Sequence, residues 1–468
     1  MVSEPLKFPH LTDHLSGGVG KSRHVRRALA LLSLLAIATL WWQAASDKSA
    51  NKIFGIYSMR AFATLVVMSY ILLWSIYVLI GRDTTVRKVA RAVLTTITLV
   101  VLGFFLELPA AFNFIDYRRI ISPPQSFLIT NVKPWDSPGN VLDDELVYIR
   151  RPHQTIVGEA DGDLVNWLGI STSQRYHVNI TYDSRGFRND RDIDKAPLAL
   201  IGDSFVEGVL VPHNNLVSTQ LSNAFGVEVA NLGQSGYGPQ QELIVLRRFG
   251  VKLSPKVVVW MFFEGNDLLD VPRYEGLLAN RKQISHDRNS LLQRSFLRNV
   301  LYTIAGYTAP RVNKGTSEAR KRSGQLKKTG ETLYFAYAGT DLSQEELLSL
   351  KTAQDCLLKA QRLSEESGAK LLLAYVPTKY RVYRDFCNFP QDGYVRTWKL
   401  NDLPSQFESW SKDHGIAFID LTSALRKSAA EGNLVYFPDD GHWNSNGQTV
   451  VAQTLEQFIR SGGWLTPK

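Results

Sequence analysis

The sequence predicts an α/β protein in which a parallel sheet follows three membrane-spanning helices. After residue 195, short apolar runs alternate with helical patterns, which is typical of a parallel sheet covered by helices on both faces. Before residue 115, three long apolar runs are each long enough to cross a bilayer. In the 468 residues we therefore expect a membrane region at 1–115, a linker with short strands at 116–195, and an α/β domain at 196–468.

The predicted spans are residues 28–45, 61–81 and 92–114. Trp41 and Trp42 lie near the end of the first span, as expected of the aromatic belt at a membrane surface. A signal peptide is the alternative interpretation of this span, because a basic segment precedes it, but no small-x-small cleavage site follows. Glu107 lies near the outer end of the third span, where we expect it at the interface.

The distribution of Lys and Arg predicts the orientation of the spans. Cytoplasmic loops are enriched in these residues, and they are concentrated here before the first span and between the second and third: Lys21, Arg23, Arg26, Arg27, Arg82, Arg87, Lys88 and Arg91. The chain after about residue 115 is then outside the cytoplasm, with or without cleavage of the first span. We expect an integral protein of the inner or plasma membrane, with its α/β domain periplasmic or extracellular.

The net charge of +9 is partly explained by these basic flanks. Basic residues beside spans orient the spans in the membrane and attract anionic lipid, which accounts for such charge. No basic stripe interleaved with aromatic residues occurs elsewhere in the sequence. We expect the lipid bilayer as a partner and no nucleic acid.

From residue 116 onward the predicted elements follow in order. The segment 116–195 is punctuated by prolines and contains one alternating, strand-like stretch at 177–182. The α/β domain is predicted to have strands at 198–201, 227–230, 257–263, 370–375 and 416–419. Its main helices are predicted at 240–249, 345–367, 404–413 and 446–461.

A basic, polar insert at about 271–340 interrupts the alternation. We favour a mobile, solvated excursion, because runs of charge usually are solvated. The alternative is a lid over the crevice or a contact with anionic headgroups.

Two cysteines, Cys356 and Cys387, fall in the part expected outside the cytoplasm, so a single disulfide is possible. Neither has a His nearby at the spacing of metal ligands, and a zinc site is not expected.

Four polar blocks follow or lie near the ends of predicted strands. Because the carboxyl ends of parallel strands meet at one edge of the sheet, these blocks are expected to converge on one crevice. They are Gly202-Asp203-Ser204, the glycine-rich stretch with Gly236, Gly265-Asn266-Asp267, and Asp439-Asp440-Gly441-His442-Trp443.

The residue types in these blocks suit acyl transfer, which needs a nucleophile, a base, a group that orients the base, and donors for the developing oxyanion. Ser204 can be the nucleophile and His442 the base, with an acidic neighbour as the orienting group. The oxyanion donors can be the backbone N–H groups of Ser204 and Gly236 and the side-chain amide of Asn266. We expect no metal, since the His residues are scattered, and no cofactor.

The four blocks, in this order, resemble those of the SGNH (GDSL-type) hydrolases over about residues 183–462. The resemblance implies a three-layer α/β/α sandwich and esterase, lipase or carbohydrate deacetylase activity. Asp439 satisfies the Asp-x-x-His pattern that ends at His442. Asp440 gives Asp-x-His-Trp, which is similar to the spacing in SGNH-like polysaccharide O-acetyltransferases. Asp439 is the favoured orienting residue and Asp440 the alternative. Phe205, where the family has Leu, is a minor departure.

Three functions are consistent with these observations. The first is a membrane-anchored extracytoplasmic serine esterase that removes acyl groups, acetyl above all, from an acylated cell-envelope glycan or glycolipid. The second is an O-acetyltransferase acting on an envelope polysaccharide. It would need a membrane acyltransferase partner, because three spans are too few to carry an acyl group across the bilayer. The third is a non-catalytic envelope module, which the intact Ser204, Asn266 and His442 disfavour.

Overall fold

A computed structural model describes residues 16–44, 52–53, 57–80, 83–121, 134–170, 174–308 and 316–465. The chain divides into two compact units. The first, which we call the helical unit, comprises Met1–Ile121 and Arg294–Val312. The second, the sheet unit, comprises Ser122–Gln293 and Asn313–Lys468.

The helices of the described chain are α1 (Ser16–Ala44), α2 (Met59–Ile80), α3 (Thr85–Ala111), α4 (Arg118–Ile121), α5 (Asp163–Leu168), α6 (Ser204–Glu207), α7 (Val217–Phe225), α8 (Pro239–Val245), α9 (Asp267–Ala279), α10 (Arg281–Arg288), α11 (Leu291–Arg294), α12 (Phe296–Thr308), α13 (Thr316–Lys321), α14 (Gln344–Glu366), α15 (Lys379–Tyr383), α16 (Leu403–Asp413), α17 (Thr422–Glu431) and α18 (Ser445–Ser461).

The strands are β1 (Lys52–Ile53), β2 (Tyr57–Ser58), β3 (Asn140–Asp143), β4 (Val147–Arg150), β5 (Thr155–Ala160), β6 (Tyr176–Thr181), β7 (Leu198–Gly202), β8 (Val229–Gly233), β9 (Val257–Phe263), β10 (Ser323–Leu326), β11 (Thr332–Tyr334), β12 (Lys370–Val376), β13 (Cys387–Asn388) and β14 (Ala417–Asp420).

Within its described residues, the helical unit contains three helices long and apolar enough to cross a membrane. Their apolar segments are Val25–Gln43, Ala61–Ile80 and Thr85–Ala111, with mean hydropathy of 1.5, 2.2 and 2.2. The prediction of three candidate spans is confirmed. The third helix begins at Thr85, earlier than predicted, because Arg87, Lys88 and Arg91 continue the helix although they do not suit the bilayer core.

The sheet unit is built on the predicted five-stranded parallel sheet. The strand order is β14-β12-β9-β7-β8, and every neighbouring pair is parallel. Strand β8 includes the first residues of the stretch predicted as a glycine-rich loop. Hydrogen bonds of the Asn231 side chain hold this part of the chain in place. Its amide donates to the Val206 carbonyl at 2.7 Å and its oxygen accepts from Gly233 N at 3.0 Å.

Helices cover both faces of this sheet, so the predicted three-layer α/β/α arrangement is confirmed. Successive residues of the central strand face opposite sides: Trp260 belongs to one apolar core and Met261 to the other. Helices α8, α14 and α16 bury residues on the Trp260 side, and α7, α17 and α18 on the Met261 side. Cys356 and Cys387 lie in these different cores and are free, buried thiols, so no disulfide joins them.

The segment predicted as a linker with short strands does form strands in its described part: β5 pairs with β6, and the antiparallel pair β3–β4 buries Leu146 and Tyr148 in the core of the sheet unit. The insert at 271–340, predicted as a mobile, solvated excursion, forms regular secondary structure where the structure describes it. It continues α9, forms α10 to α13 and ends in the antiparallel pair β10–β11. Apolar residues interspersed among its charges explain why it folds, and its segment from Arg294 to Val312 belongs to the helical unit.

Candidate active site

Ser204 stands at the turn where strand β7 ends and α6 begins. Asp203 caps this short helix, since its Oδ1 accepts from Phe205 N at 2.9 Å. A Cβ atom at Gly202 would lie 2.7 Å from Val206 Cγ2 and 3.0 Å from the Met261 carbonyl oxygen. Only glycine therefore permits this tight turn, which presents the serine hydroxyl at the carboxyl edge of the sheet.

Ser204, His442 and Asp440 form a continuous chain of hydrogen bonds. His442 Nε2 lies 2.7 Å from Ser204 Oγ. His442 Nδ1 lies 2.6 Å from Asp440 Oδ1, which also accepts from the backbone N of His442 at 2.8 Å. This is the arrangement of nucleophile, base and orienting acid that acyl transfer requires.

Asp439, the favoured orienting residue from the sequence, does not contact His442. Its Oδ1 accepts from the Tyr176 hydroxyl, and its backbone carbonyl accepts from Leu164 N at 3.2 Å. The physical reason is the tight turn at 440–442, in which one carboxylate oxygen of Asp440 accepts from both the backbone and the ring of His442. Asp439 precedes this turn and faces β6 instead.

The electrostatics of the site follow from this pairing. Burial alone would lower the pKa of His442, but the Asp440 carboxylate outweighs it and raises the pKa to about 9. Burial alone would raise the pKa of Asp440, and the imidazolium opposes this, so that the pKa falls to about 2. The Asp440 carboxylate therefore favours the protonated form of His442, which is the form that arises when the ring accepts a proton.

Asp163, at the start of α5, is a contributor that the sequence did not reveal. Its backbone N donates to Asp440 Oδ2 at 2.8 Å, and its Oδ1 accepts from Gly441 N at 2.8 Å. Burial and the nearby Asp440 charge raise the pKa of Asp163 to about 7. Its only sequence signal was Gly-Asp before a short apolar segment, in a region interpreted as linker.

Asp163, Asp440 and His442 have possible ligand atoms within 4.8 Å of one another, as a metal site would. Three of the four carboxylate oxygens already accept hydrogen bonds from N–H groups of this loop or of α5. The cluster therefore has a structural explanation that requires no metal.

Lys379 holds the loop that carries Asp440, and it too was missed. Its buried ammonium donates to the carbonyl oxygens of Phe437, Pro438 and Asp440 at 2.6, 2.8 and 3.1 Å. Burial lowers the pKa of Lys379 to about 8, against the opposing effect of the Asp440 charge. Three donors on one cation fix the course of the chain just before the proposed base.

The three predicted oxyanion donors lie around the same cavity as Ser204 and His442. This cavity has a volume of about 280 Å³ and is lined by Gly236 and Asn266, among others. Gly236 has φ of +76°, and the Tyr148 hydroxyl donates to its carbonyl oxygen at 3.0 Å. Asn266 precedes α9, and its Nδ2 donates to Asp270 Oδ2 at 2.8 Å, which fixes the amide plane.

A buried ion pair supports the loop that contains Gly236. Glu207 Oε1 accepts from Arg150 Nε at 2.8 Å and from the Tyr182 hydroxyl at 2.6 Å. Its Oε2 accepts from Ser235 N at 2.7 Å. Burial would raise the pKa of Glu207, but Arg150 and the hydrogen bonds lower it to about 2. Arg150 and Tyr182, both from the segment predicted as a linker with short strands, thus support the site.

Residues 330–466 match the family model of the SGNH hydrolase-like domain of acetyltransferase AlgX. Over these residues the chain is similar to an SGNH hydrolase-like domain. The matched residues include Lys379, Asp440 and His442, whereas Ser204 and Asn266 precede them. The resemblance to SGNH hydrolases that the sequence indicated is confirmed over the matched residues.

Curated relatives include two proteins named probable alginate O-acetylase AlgJ. The one from Pseudomonas putida is 30% identical over 119 residues, which are 25% of this chain and 28% of that protein. The one from Pseudomonas aeruginosa is 32% identical over 100 residues, or 21% and 24%. This chain thus matches less than a third of the length of either relative.

Among solved structures, the lipase/acylhydrolase from Enterococcus faecalis is 14% identical, with 58% of this chain and 97% of that protein covered. The TM-score is 0.30, too low to support an inference from that protein.

Proposed function

We propose that this protein is a membrane-anchored serine O-acetyltransferase that places acetyl groups on hydroxyls of an extracytoplasmic polysaccharide. The observation that carries the proposal is the hydrogen bond between His442 and Asp440, since Asp-x-His-Trp is the spacing similar to SGNH-like polysaccharide O-acetyltransferases. The acetyltransferase named in the matching family model and the O-acetylases named among the relatives support it.

In the first half-reaction, Ser204 Oγ attacks the carbonyl carbon of an acetyl ester or thioester. His442 Nε2, 2.7 Å from this oxygen, accepts the hydroxyl proton as the new C–O bond forms. The developing oxyanion faces the N–H groups of Ser204 and Gly236 and the Asn266 amide. His442 then returns the proton to the leaving group as its bond to the acetyl carbon breaks.

In the second half-reaction, a sugar hydroxyl attacks the acetyl-Ser204 ester. His442 accepts the proton of that hydroxyl and returns it to Ser204 Oγ as the serine ester breaks. The products are an acetylated polysaccharide and free enzyme. Asp440 stabilises the imidazolium in both steps and stays ionised, consistent with its lowered pKa.

In this proposal the site is extracytoplasmic, as the distribution of Lys and Arg around the spans predicts, so the acetyl group must reach that side. The three candidate spans of the described chain are too few to form a path for an acyl group, so in this proposal a partner membrane protein delivers it. If water replaces the sugar hydroxyl in the second half-reaction, the same residues make the esterase that the sequence first indicated.

The test uses the full chain in lipid nanodiscs with an aryl acetate as donor and alginate oligosaccharides as acceptor. Wild type is compared with Ser204→Ala and with the matched control Ser461→Ala, at an exposed serine at the end of α18. We expect fluorophosphonate labelling and acetylated oligosaccharide, by mass spectrometry, from wild type and the control. Ser204→Ala should lose both.

Two results contradict parts of the proposal. Acetate release that depends on Ser204, with no acetylated sugar at any acceptor concentration, would identify an esterase. Full activity of Ser204→Ala would overturn serine catalysis altogether.

A further inference from the structure

Glu107 lies within the third candidate span and has its carboxylate fully engaged by the insert. Its Oε1 accepts from the Ser295 hydroxyl at 2.8 Å and from Leu297 N at 2.9 Å. Its Oε2 accepts from Phe296 N at 3.0 Å. These N–H groups are at the start of α12, so Glu107 caps a helix that follows it by nearly 190 residues in the chain.

The contact between the Glu107 carboxylate and the start of α12 removes two unfavourable contributions to the free energy. A carboxylate near the apolar part of a bilayer is expensive unless it is paired. The first N–H groups of a helix lack partners within the helix and favour a negative charge nearby. The N–H groups therefore give the carboxylate its hydrogen-bond donors, and the carboxylate gives the N–H groups an acceptor and a negative charge. A medium with little water explains this contact best.

Helix α12 also packs against the last turns of α3. Leu297 Cδ1 lies 3.8 Å from the position that a Cβ atom would take at Gly103, one turn before Glu107. The Phe296 ring meets the edge of Tyr117 with 5.1 Å between centroids. The Thr303 hydroxyl donates to the carbonyl oxygen of Ile121 at 3.1 Å. The start of α12 is thus held beside α3, and its middle is held by a hydrogen bond to the end of α4.

Three large side chains on the described part of α12 are exposed. Leu297, Leu301 and Tyr302 are 48%, 40% and 42% exposed. On α3, Phe104 and Phe105 directly follow Gly103, which Leu297 approaches, and they are 60% and 61% exposed on a helix apolar enough to span a membrane. The exposed face of α12 thus continues the surface that α3 would present to lipid. Glu107 lies four residues before the end of α3, or about 6 Å along its axis.

We propose that α12 lies in the membrane interface beside the end of α3, with Leu297, Leu301 and Tyr302 against the acyl chains of the bilayer. The occupant of this face is lipid, because the face is continuous with the lipid-facing surface of a span. Arg298, whose guanidinium lies 4.7 Å from the centre of the Tyr302 ring, is placed to meet headgroup phosphates. The inference rests on α3 spanning the membrane and does not depend on the catalytic proposal.

The test is site-directed spin labelling of the full chain in liposomes. A nitroxide is attached at Leu301→Cys and, as a control, at Glu408→Cys on the exposed side of α16 in the sheet unit. Unmodified protein serves as the blank, since Cys356 and Cys387 are buried. Collision with oxygen, which concentrates in the bilayer, is compared with collision with a water-soluble nickel complex.

We expect the label at 301 to collide several-fold more with oxygen than with nickel, at a depth of about 5–10 Å, and the label at 408 to show the reverse. Preferential collision with nickel at 301 would overturn the proposal. Protection of 301 from both reagents would also overturn it, because protein and not lipid would then cover the face. If Leu301→Cys does not fold, Tyr302→Cys provides the same comparison.

A second variant tests the role of Glu107. Glu107→Ala removes the cap, so the label at 301 should become more mobile and lose its preference for oxygen. Glu107→Gln keeps an accepting oxygen and should give an intermediate result. Unchanged mobility and oxygen accessibility in Glu107→Ala would show that this carboxylate does not hold α12 in place.

Discussion

Replacing Asp440 by Asn tests whether this carboxylate, and not its neighbour Asp439, controls the proposed base. The substitution preserves the size of the side chain and removes the charge beside His442 Nδ1. An asparagine can also present its NH2 group to Nδ1, which favours the ring tautomer with its proton on Nε2. That tautomer cannot accept the Ser204 proton.

The expected loss can be derived from the structure. The pKa of His442 stands at about 9 against an ordinary value of 6.5. At about 1.36 kcal/mol per pKa unit, the surroundings stabilise the imidazolium by on the order of 3 kcal/mol, most of it from Asp440. Together with the unfavourable tautomer, Asp440→Asn should lower kcat/KM by about 10³- to 10⁴-fold. Asp439→Asn should lower it by less than about tenfold, since that carboxylate contacts Tyr176 and not His442.

The assay is kcat/KM for an aryl acetate, measured from pH 5 to pH 10 on the full chain. Because His442 must be neutral to act as a base, wild-type activity should rise with pH up to about 9. In Asp440→Asn the residual activity should level off at a lower pH, near 6.5 or below, since the charge that raises the pKa of His442 is gone. A greater loss in Asp439→Asn, or an unchanged pH profile in Asp440→Asn, would refute this reasoning.

Three further substitutions test the supports of the site. Lys379→Met leaves three buried carbonyl groups without their donor, so the free energy of unfolding should fall by about 1–3 kcal/mol and fluorophosphonate labelling should slow by about 10- to 10²-fold. Gly236→Ala should abolish most activity, because its Cβ would lie 2.9 Å from a tyrosine hydroxyl, whereas Gly330→Ala, at a similar φ of +74° with open space around it, should lose only stability. Glu207→Gln removes the carboxylate partner of buried Arg150 and should destabilise the fold by about 3–5 kcal/mol in urea unfolding. Since the pKa of Glu207 is about 2 in the fold against an ordinary 4.5, this difference should be full above pH 4.5 and disappear as the pH falls through about 2.

Much of the architecture was readable from the sequence because it depends on local patterns. The apolar runs that became β7, β9 and β12 are buried on both faces, which removes alternation and leaves a continuous hydrophobic signal. The three candidate spans followed from length and composition. The convergence of the four polar blocks followed from the geometry of a parallel sheet, which brings Ser204, Gly236, Asn266 and His442 to one cavity. Their catalytic roles remain predictions.

The supports of the site lay beyond such patterns. Asp163 meets Asp440 across 277 residues, and Arg150 meets Glu207 across 57. Hydrogen bonds between such distant positions have no periodicity in the chain, so nothing marks the partners before the fold brings them together.

The sequence by itself determined the α/β class, the candidate spans and a histidine with two adjacent aspartates. Only the tertiary structure decided that Asp440 bonds to His442, because both spacings are allowed and the closure of one turn selects between them. Only the tertiary structure decided the partner of Glu107, because a carboxylate in a span signals that it needs a partner without indicating which one. Local composition determines where the chain is apolar and where it turns, whereas the pairing of polar groups depends on which distant segments the packed core brings into contact.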